Sequence, residues 1–228
     1  MNSLITKPGV HVLILLGAIA SFVFFQFFYP YHLFYQEQNQ LFLFSWDYIT
    51  TYLDKPGWLA CLTGDFLTQF YYYRYAGPTI LTLSILMAGY NVRCGVEDAD
   101  IKGTWIPYTI AIAVMTMLVC FSLHYDYRLS SIIAIAGGAN VFRFSTKILV
   151  STRMFVKKLE NQALRHTSID GTRLPQWITA VSIFISMLVC HWFFGCGMWI
   201  YAALVLLGCI KYINKPGNYT RLAAIAIP

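Results

Sequence analysis

Glu37, Asp47, Asp54 and Asp65 all fall within residues 30–75, a segment flanked by apolar runs, and Asp126 sits in the short turn His124-Tyr125-Asp126-Tyr127-Arg128. Glu37 is the carboxylate nearest the end of the first apolar run and is set among amides, in Tyr35-Gln36-Glu37-Gln38-Asn39-Gln40. A carboxylate held there at a membrane surface would act as a general base or help to hold a divalent cation. The plainer reading is a solvated or hydrogen-bonded loop acid, the usual state of a charged loop residue. Arg128 would neutralise a phosphate, with Asp126 either its local ion-pair partner or a second polar group in the same cleft. Trp46 and Tyr48 would wall such a groove and stack on a sugar or a prenyl chain. The expected site is therefore Glu37 as the catalytic carboxylate, with Arg128, Asp126, Trp46 and Tyr48 binding substrate. His32 and His124 fall near the same side but lack metal-ligand spacing, so no metal site is expected and no cofactor is specified.

The six cysteines, Cys61, Cys94, Cys120, Cys190, Cys196 and Cys209, include no CxxC pair, so neither a zinc nor a redox motif is expected. Buried single thiols are the default, and a disulfide between Cys61 and Cys196 is the open alternative. Glycine-rich phosphate loops, HExxH and nucleophile-elbow patterns are absent from the sequence.

The elements that would position these residues belong in a bilayer. Hydrophobic residues make up 58% of the 228 positions and charged residues 11%, against ~25% charged in soluble domains. The net charge of +6 does not point to nucleic acid, because the basic residues flank apolar runs and form no stripe with interleaved aromatics. Apolar runs approaching ~20 residues mark membrane spans, expected at about 10–28, 76–92, 106–123, 129–150, 177–194 and 198–213. The first run is too long for a signal-peptide core and Phe27-Phe28-Tyr29-Pro30 offers no small-residue cleavage site, so it reads as an uncleaved span. In the fourth, Arg143 and Lys147 are expected to snorkel outward. The fold expected is all-α, a polytopic transmembrane bundle of six spans forming a single domain over residues 1–228. With the amino terminus inside, thirteen of the sixteen Lys and Arg residues fall on the cytoplasmic side. Lys55, Arg74 and Arg128 remain outside. Both termini are then cytoplasmic, and the localisation is the inner cell membrane.

Two segments are more than connectors. The basic stretch 145–176 interleaves Ile148, Leu149, Phe155, Val156, Leu159 and Leu164 with cations. It reads either as an amphipathic helix on the inner leaflet or as a solvated positive-inside loop, closed by a turn at Thr167-Ser168-Ile169-Asp170-Gly171 before Pro175. The outer segment 30–75 is too apolar to be a free loop. Lys55-Pro56-Gly57 divides it. After that break Trp58, Leu62, Phe66, Phe70 and Tyr73 recur at helical spacing, and before it Tyr48, Tyr52 and Leu53 mark a shorter helix with Asp47 near its start. Two amphipathic helices lying along the outer interface are expected, with Tyr71-Tyr72-Tyr73 and Tyr75 at headgroup level.

The runs Tyr35-Gln36-Glu37-Gln38, Leu41-Phe42-Leu43-Phe44, Trp46-Asp47-Tyr48, Lys55-Pro56-Gly57 and Gly64-Asp65-Phe66-Leu67-Thr68-Gln69-Phe70-Tyr71-Tyr72-Tyr73 resemble the opening of an uncharacterised Bacteroidota membrane family, a domain of unknown function. The likeness covers about residues 30–78. Members of that family are longer, so the resemblance implies a shortened member or an amino-terminal portion. The layout also resembles the start of GT-C glycosyltransferases, where a first span leads to a long outer loop with an acid close behind it and two interfacial helices. That resemblance implies chemistry on lipid-linked sugars of the cell envelope, with Glu37 standing where those enzymes usually carry an aspartate. A non-enzymatic membrane subunit packing against a partner protein is the competing reading. A small-molecule transporter is third, disfavoured because no ionisable residue lies near the centre of an expected span. The partners expected are the bilayer, a lipid-linked substrate and a membrane-protein partner, with no nucleic acid.

Overall fold

The computed structural model describes residues 7–40, 42–99, 105–163 and 176–213. Among these the chain is all helical. It forms α1 (Lys7–Val23), α2 (Pro30–Asn39), α3 (Trp46–Leu53), α4 (Trp58–Thr68), α5 (Ala76–Asp98), α6 (Ile106–Phe121), α7 (Leu129–Ala163), α8 (Gln176–Phe194) and α9 (Gly197–Ile213). A π-helical turn, Phe24–Phe28, ends α1, and a 3₁₀ turn, Gln69–Tyr72, follows α4.

The six-span expectation is overturned. Among the described residues two helical stretches, Ala76–Asp98 and Leu129–Thr152, are long and apolar enough to cross a membrane. A third qualifies only if Val12–Phe28 and Pro30–Gln38, which meet at 76°, count as one broken span. The reason is length. Ile106–Phe121, Thr179–Phe194 and Gly197–Cys209 are apolar stretches of fewer than eighteen residues, although the backbone of α8 as a whole runs to nineteen. At ~1.5 Å per residue the sixteen residues of α6 reach only about 24 Å, short of the ~30 Å hydrocarbon layer. The chain is a membrane protein with more than one pass, and apolarity without sufficient helix length had inflated the count.

The first apolar run departs from a straight span at a definite place. Tyr29 N–H donates to the carbonyl of Phe24 at 3.1 Å, the wide closure of a π turn. Pro30 follows with no N–H to continue the ladder, and α2 starts there with proline in its first turn. In α3 the Ser45 hydroxyl caps the helix by accepting Tyr48 N–H at 3.3 Å, and Asp47 complements the helix dipole. Gly57, at φ 82°, turns the chain from α3 into α4. This is the break expected at Lys55-Pro56-Gly57.

The eleven residues of α4 extend about 16 Å, too short to cross the bilayer. Its orientation about its own axis is the reverse of a soluble amphipathic helix. Ala60, Gly64, Asp65 and Thr68 are buried, whereas Phe70 and Tyr73, beyond its end, are exposed and Trp58, Leu62 and Phe66 are half-buried. The expected aromatic ridge faces outward and the small and polar residues face α7. Membrane helices associate in this way, because lipid solvates large apolar side chains as well as a protein interior does. A Cβ on Gly64 would stand 2.6 Å from Ser130 Cα of α7, and one on Gly138 of α7 would strike the Gly197 carbonyl of α9.

Helices α5 and α7 run through the centre and join two cores. Phe25, Leu33, Tyr71, Leu81, Ile85 and Ile132 belong to one, and Val92, Val96, Phe142, Tyr201 and Leu204 to the other. Arg143 does not simply snorkel: its Nε lies 3.2 Å from Asp98 Oδ2, linking α7 to the end of α5. Lys147 is exposed. The expected amphipathic helix over 145–176 is, as far as Ala163, the continuation of α7. The turn at 167–171, Pro175 and both chain termini lie outside the described residues.

Candidate functional site

The amino-terminal turns of α7 carry three structures on one end of the bundle: the α6–α7 turn, α4 and, across that turn, α2. Gln36 Nε2 donates to the Tyr127 carbonyl at 2.9 Å, and Gln69 Nε2 donates to the Gln40 carbonyl at the end of α2. Helix α2, the 3₁₀ turn after α4 and the turn at 124–128 are therefore tied together at one end of the bundle, and the polar surface they share is the candidate cleft.

On the α3–α4 side the cleft is built around Asp65. Its residue is 8% exposed, and Tyr52 Oη donates to Oδ2 at 2.7 Å. Tyr48 Oη lies 2.8 Å from Tyr52 Oη and extends the chain outward. Asp65 Oδ1 is buried without a hydrogen-bond partner among the described residues. Burial, then the bonds to Tyr48 and Asp65, push the Tyr52 phenol far above its ordinary value, so it stays a donor at any accessible pH. Cys61, one turn before Asp65, has its thiol pushed up by burial and next by the Asp65 carboxyl, while the Arg128 and Lys55 charges pull it back down.

The α2 side is aromatic. His32 is 1% exposed, its ring centroid 5.1 Å from that of Tyr29 and 4.8 Å from that of Tyr125. Its Nε2 is 3.1 Å from Gln36 Nε2, and its Nδ1 has no partner among the described residues. Tyr35 packs edge-on against Tyr125 at 5.3 Å.

Each residue expected from sequence has a definite place. Glu37 is half-buried on α2, directly after the Gln36 that grips the turn. Asp126 and Arg128 are exposed on that turn, and Arg128 directly follows the carbonyl donor-acceptor contact at Tyr127. The residues next to Glu37 and Arg128 are thus bonded to each other. Trp46 is 73% exposed at the start of α3, whereas Tyr48 joins the chain that ends on Asp65. Sequence reasoning counted Asp65 among the carboxylates and weighed His32 as a metal ligand without assigning either to the site, and gave Gln36 no role. A signal for Asp65 was present: Cys61, Gly64, Asp65 and Thr68 recur at helical spacing as a small and polar stripe. Cys61 and Cys196 are both free thiols. Among the described residues no group of three or more His, Cys, Asp or Glu is placed to hold a metal ion.

A buried carboxyl with one oxygen fixed by a phenol and the other unpartnered can take a proton from a hydroxyl delivered to it. A guanidinium on the rim can neutralise a phosphate. No curated protein and no solved structure matches the chain. A family model described as a family of unknown function matches residues 5–228, and on that coverage the protein belongs to the uncharacterised family DUF6057.

Proposed function

We propose that the cleft is an active site for lipid-linked sugar chemistry at the cell envelope, of the GT-C type, with Asp65 as its general base. The observation that carries this reading is the unpartnered Oδ1 of a buried carboxyl whose other oxygen is fixed by Tyr52. In the proposed step, Asp65 Oδ1 accepts the proton of an acceptor hydroxyl. The acceptor oxygen forms its bond to the sugar carbon as the bond to the lipid phosphate breaks, and the phosphate leaves with its charge balanced by Arg128. Glu37 and Asp126 would line the rim beside Arg128, supported by the Gln36–Tyr127 bond. Trp46 and Tyr48 would face the sugar or its prenyl chain. The end bearing Arg93, Arg143 and Lys147 would face the cytoplasm, following the positive-inside bias. On this proposal the first residues of α1 and the last residues of α9 would lie toward that side, in the inner membrane.

The test uses the full chain in lipid nanodiscs with a radiolabelled polyprenyl-phosphate sugar and a panel of hydroxyl acceptors. Transfer that is lost in Asp65→Asn and weakened in Arg128→Ala supports the reading. Transfer unchanged in Asp65→Asn would sink it, as would failure across the panel.

A second reading, a non-enzymatic subunit, is favoured by one observation. Phe28, Tyr31, Phe44 and Trp46 are each more than 70% exposed around the α1–α2 bend and the start of α3, a surface suited to a membrane-protein partner. A partner retained at fixed stoichiometry through purification, and lost in Trp46→Glu, would select it.

A further inference from the structure

A groove separate from this cleft runs between α1, α5 and α6. Its volume is about 410 Å³, and Gly17, Ser21, Thr82, Ile85, Met115 and Val119 are among its lining residues. That is the size of a pocket for a small organic ligand. The lining is apolar apart from a few hydroxyls. Ser21 Oγ and Thr82 Oγ1 are buried with no hydrogen-bond partner among the described residues, and Thr82 is only 7% exposed. Other hydroxyls on these helices behave differently. Thr79 donates to the Tyr75 carbonyl at 2.6 Å, Thr116 to the Ile112 carbonyl at 2.9 Å and Ser122 to the Leu118 carbonyl at 2.8 Å. The two orphaned donors are therefore a local departure, and leaving buried donors unpaired costs free energy that a ligand would recover. Nothing lies within 4 Å of where a Gly17 Cβ would stand, so the α1 wall is open there.

The position of the donors selects the ligand. Helix α5 is long and apolar enough to cross a membrane, and in that setting the medium beside the groove is lipid. Thr82 lies six residues beyond Ala76, the first residue of α5, which is about 9 Å along the axis. Headgroup layers extend the ~30 Å hydrocarbon to ~40–45 Å, so this is near the depth at which an acyl ester meets its chain. A carbonyl oxygen accepts two hydrogen bonds. An isoprenoid chain carries no acceptor at that depth.

We propose that the α1–α5–α6 groove binds one acyl chain of a glycerolipid, its ester carbonyl accepting from Ser21 and Thr82. The site stands independently of the function proposed for the cleft. The full chain is placed in phosphatidylcholine vesicles doped with phosphatidylcholine carrying a diazirine in the acyl chain, irradiated, and its crosslinked peptides mapped. Crosslinks should concentrate on residues 13–24 and 112–119 over the exposed α8 face at Phe184, Ile185 and Leu188. Gly17→Phe, which projects into open space, should abolish that excess. Thr82→Val removes a hydroxyl with no protein partner and keeps the shape. It should leave the fold intact and lower the preference for the ester probe over its ether analogue by about three- to ten-fold, the worth of one hydrogen bond. Three outcomes would overturn the proposal: crosslinking uniform over all lipid-facing surfaces, an ester preference unchanged in Thr82→Val, or displacement of the ester probe by equimolar diazirine-labelled polyprenyl phosphate.

Discussion

Tyr52 Oη donates to Asp65 Oδ2 at 2.7 Å across the α3–α4 corner, and this one bond holds a carboxyl group inside the protein. Removing it leaves a buried acceptor unpaired, a change that costs about 1–3 kcal/mol. Tyr52→Phe should therefore lower stability by that amount, read as a shifted denaturant midpoint in detergent. Tyr48→Phe removes a bond one step further out, where solvent reaches, and should cost about 0.5–1.5 kcal/mol. Equal effects from both would show that Asp65 does not depend on the inner phenol.

The Cys61 thiol provides a pH readout of the same neighbourhood. Its pKa is raised by burial and then by Asp65, and lowered by Arg128 and Lys55. A raised pKa leaves less thiolate at a given pH, so alkylation should accelerate at higher pH than for glutathione. Arg128→Ala removes an opposing positive charge and should move the inflection further up. Asp65→Asn removes a negative charge and should move it down. If Arg128→Ala leaves the curve in place, Arg128 is not a neighbour of this site.

Gly57 and Gly195 meet backbone to backbone, both at positive φ, 82° and 51°. A Cβ on Gly57 would stand 3.1 Å from Gly195 Cα, and one on Gly195 3.2 Å from Gly57 Cα. Gly57 N–H also donates to the Trp192 carbonyl at 2.8 Å, so the entry to α4 is bonded to the end of α8. Alanine at either position should cost about 1–2 kcal/mol from the left-handed backbone alone, with crowding added. Thermal unfolding in detergent should show both losses, and a joint loss smaller than their sum, because the two sites share one contact.

The short helices predict a preference for thin bilayers. With α6 extending about 24 Å, hydrophobic mismatch should be smaller in fourteen-carbon than in eighteen-carbon phosphatidylcholine. The unfolding midpoint should fall as chain length rises between the two. A midpoint that rises would indicate that the longer helices alone set the match.

Apolarity was legible in the sequence and helix length was not. The run at 106–123 is as apolar as a span, but α6 ends at Phe121 and the chain turns from Ser122, and composition alone does not display such a stop. Lys55-Pro56-Gly57 did announce the break between α3 and α4, because its local chemistry is decisive within a few residues. Glu37 and Arg128 drew attention through their isolation in sequence. Asp65 was hidden because the aromatic residues of its helix carried the periodic signal and led to an interfacial helix defined by that ridge. In lipid the small and polar stripe turns inward, and the acid goes with it.

Helix α7 also has a mechanical meaning. Its thirty-five residues reach about 52 Å, and only Leu129–Thr152 forms the span-length apolar stretch. The last eleven residues continue the same rod for about 16 Å. Gly64 locks against Ser130 at one end of that rod, beside the cleft. An unbroken helix is stiff to twisting, so a rotation imposed at Ser130 would be carried along the rod toward Ala163. The Gly64 contact and the far end of α7 stand to each other as the two ends of a shaft.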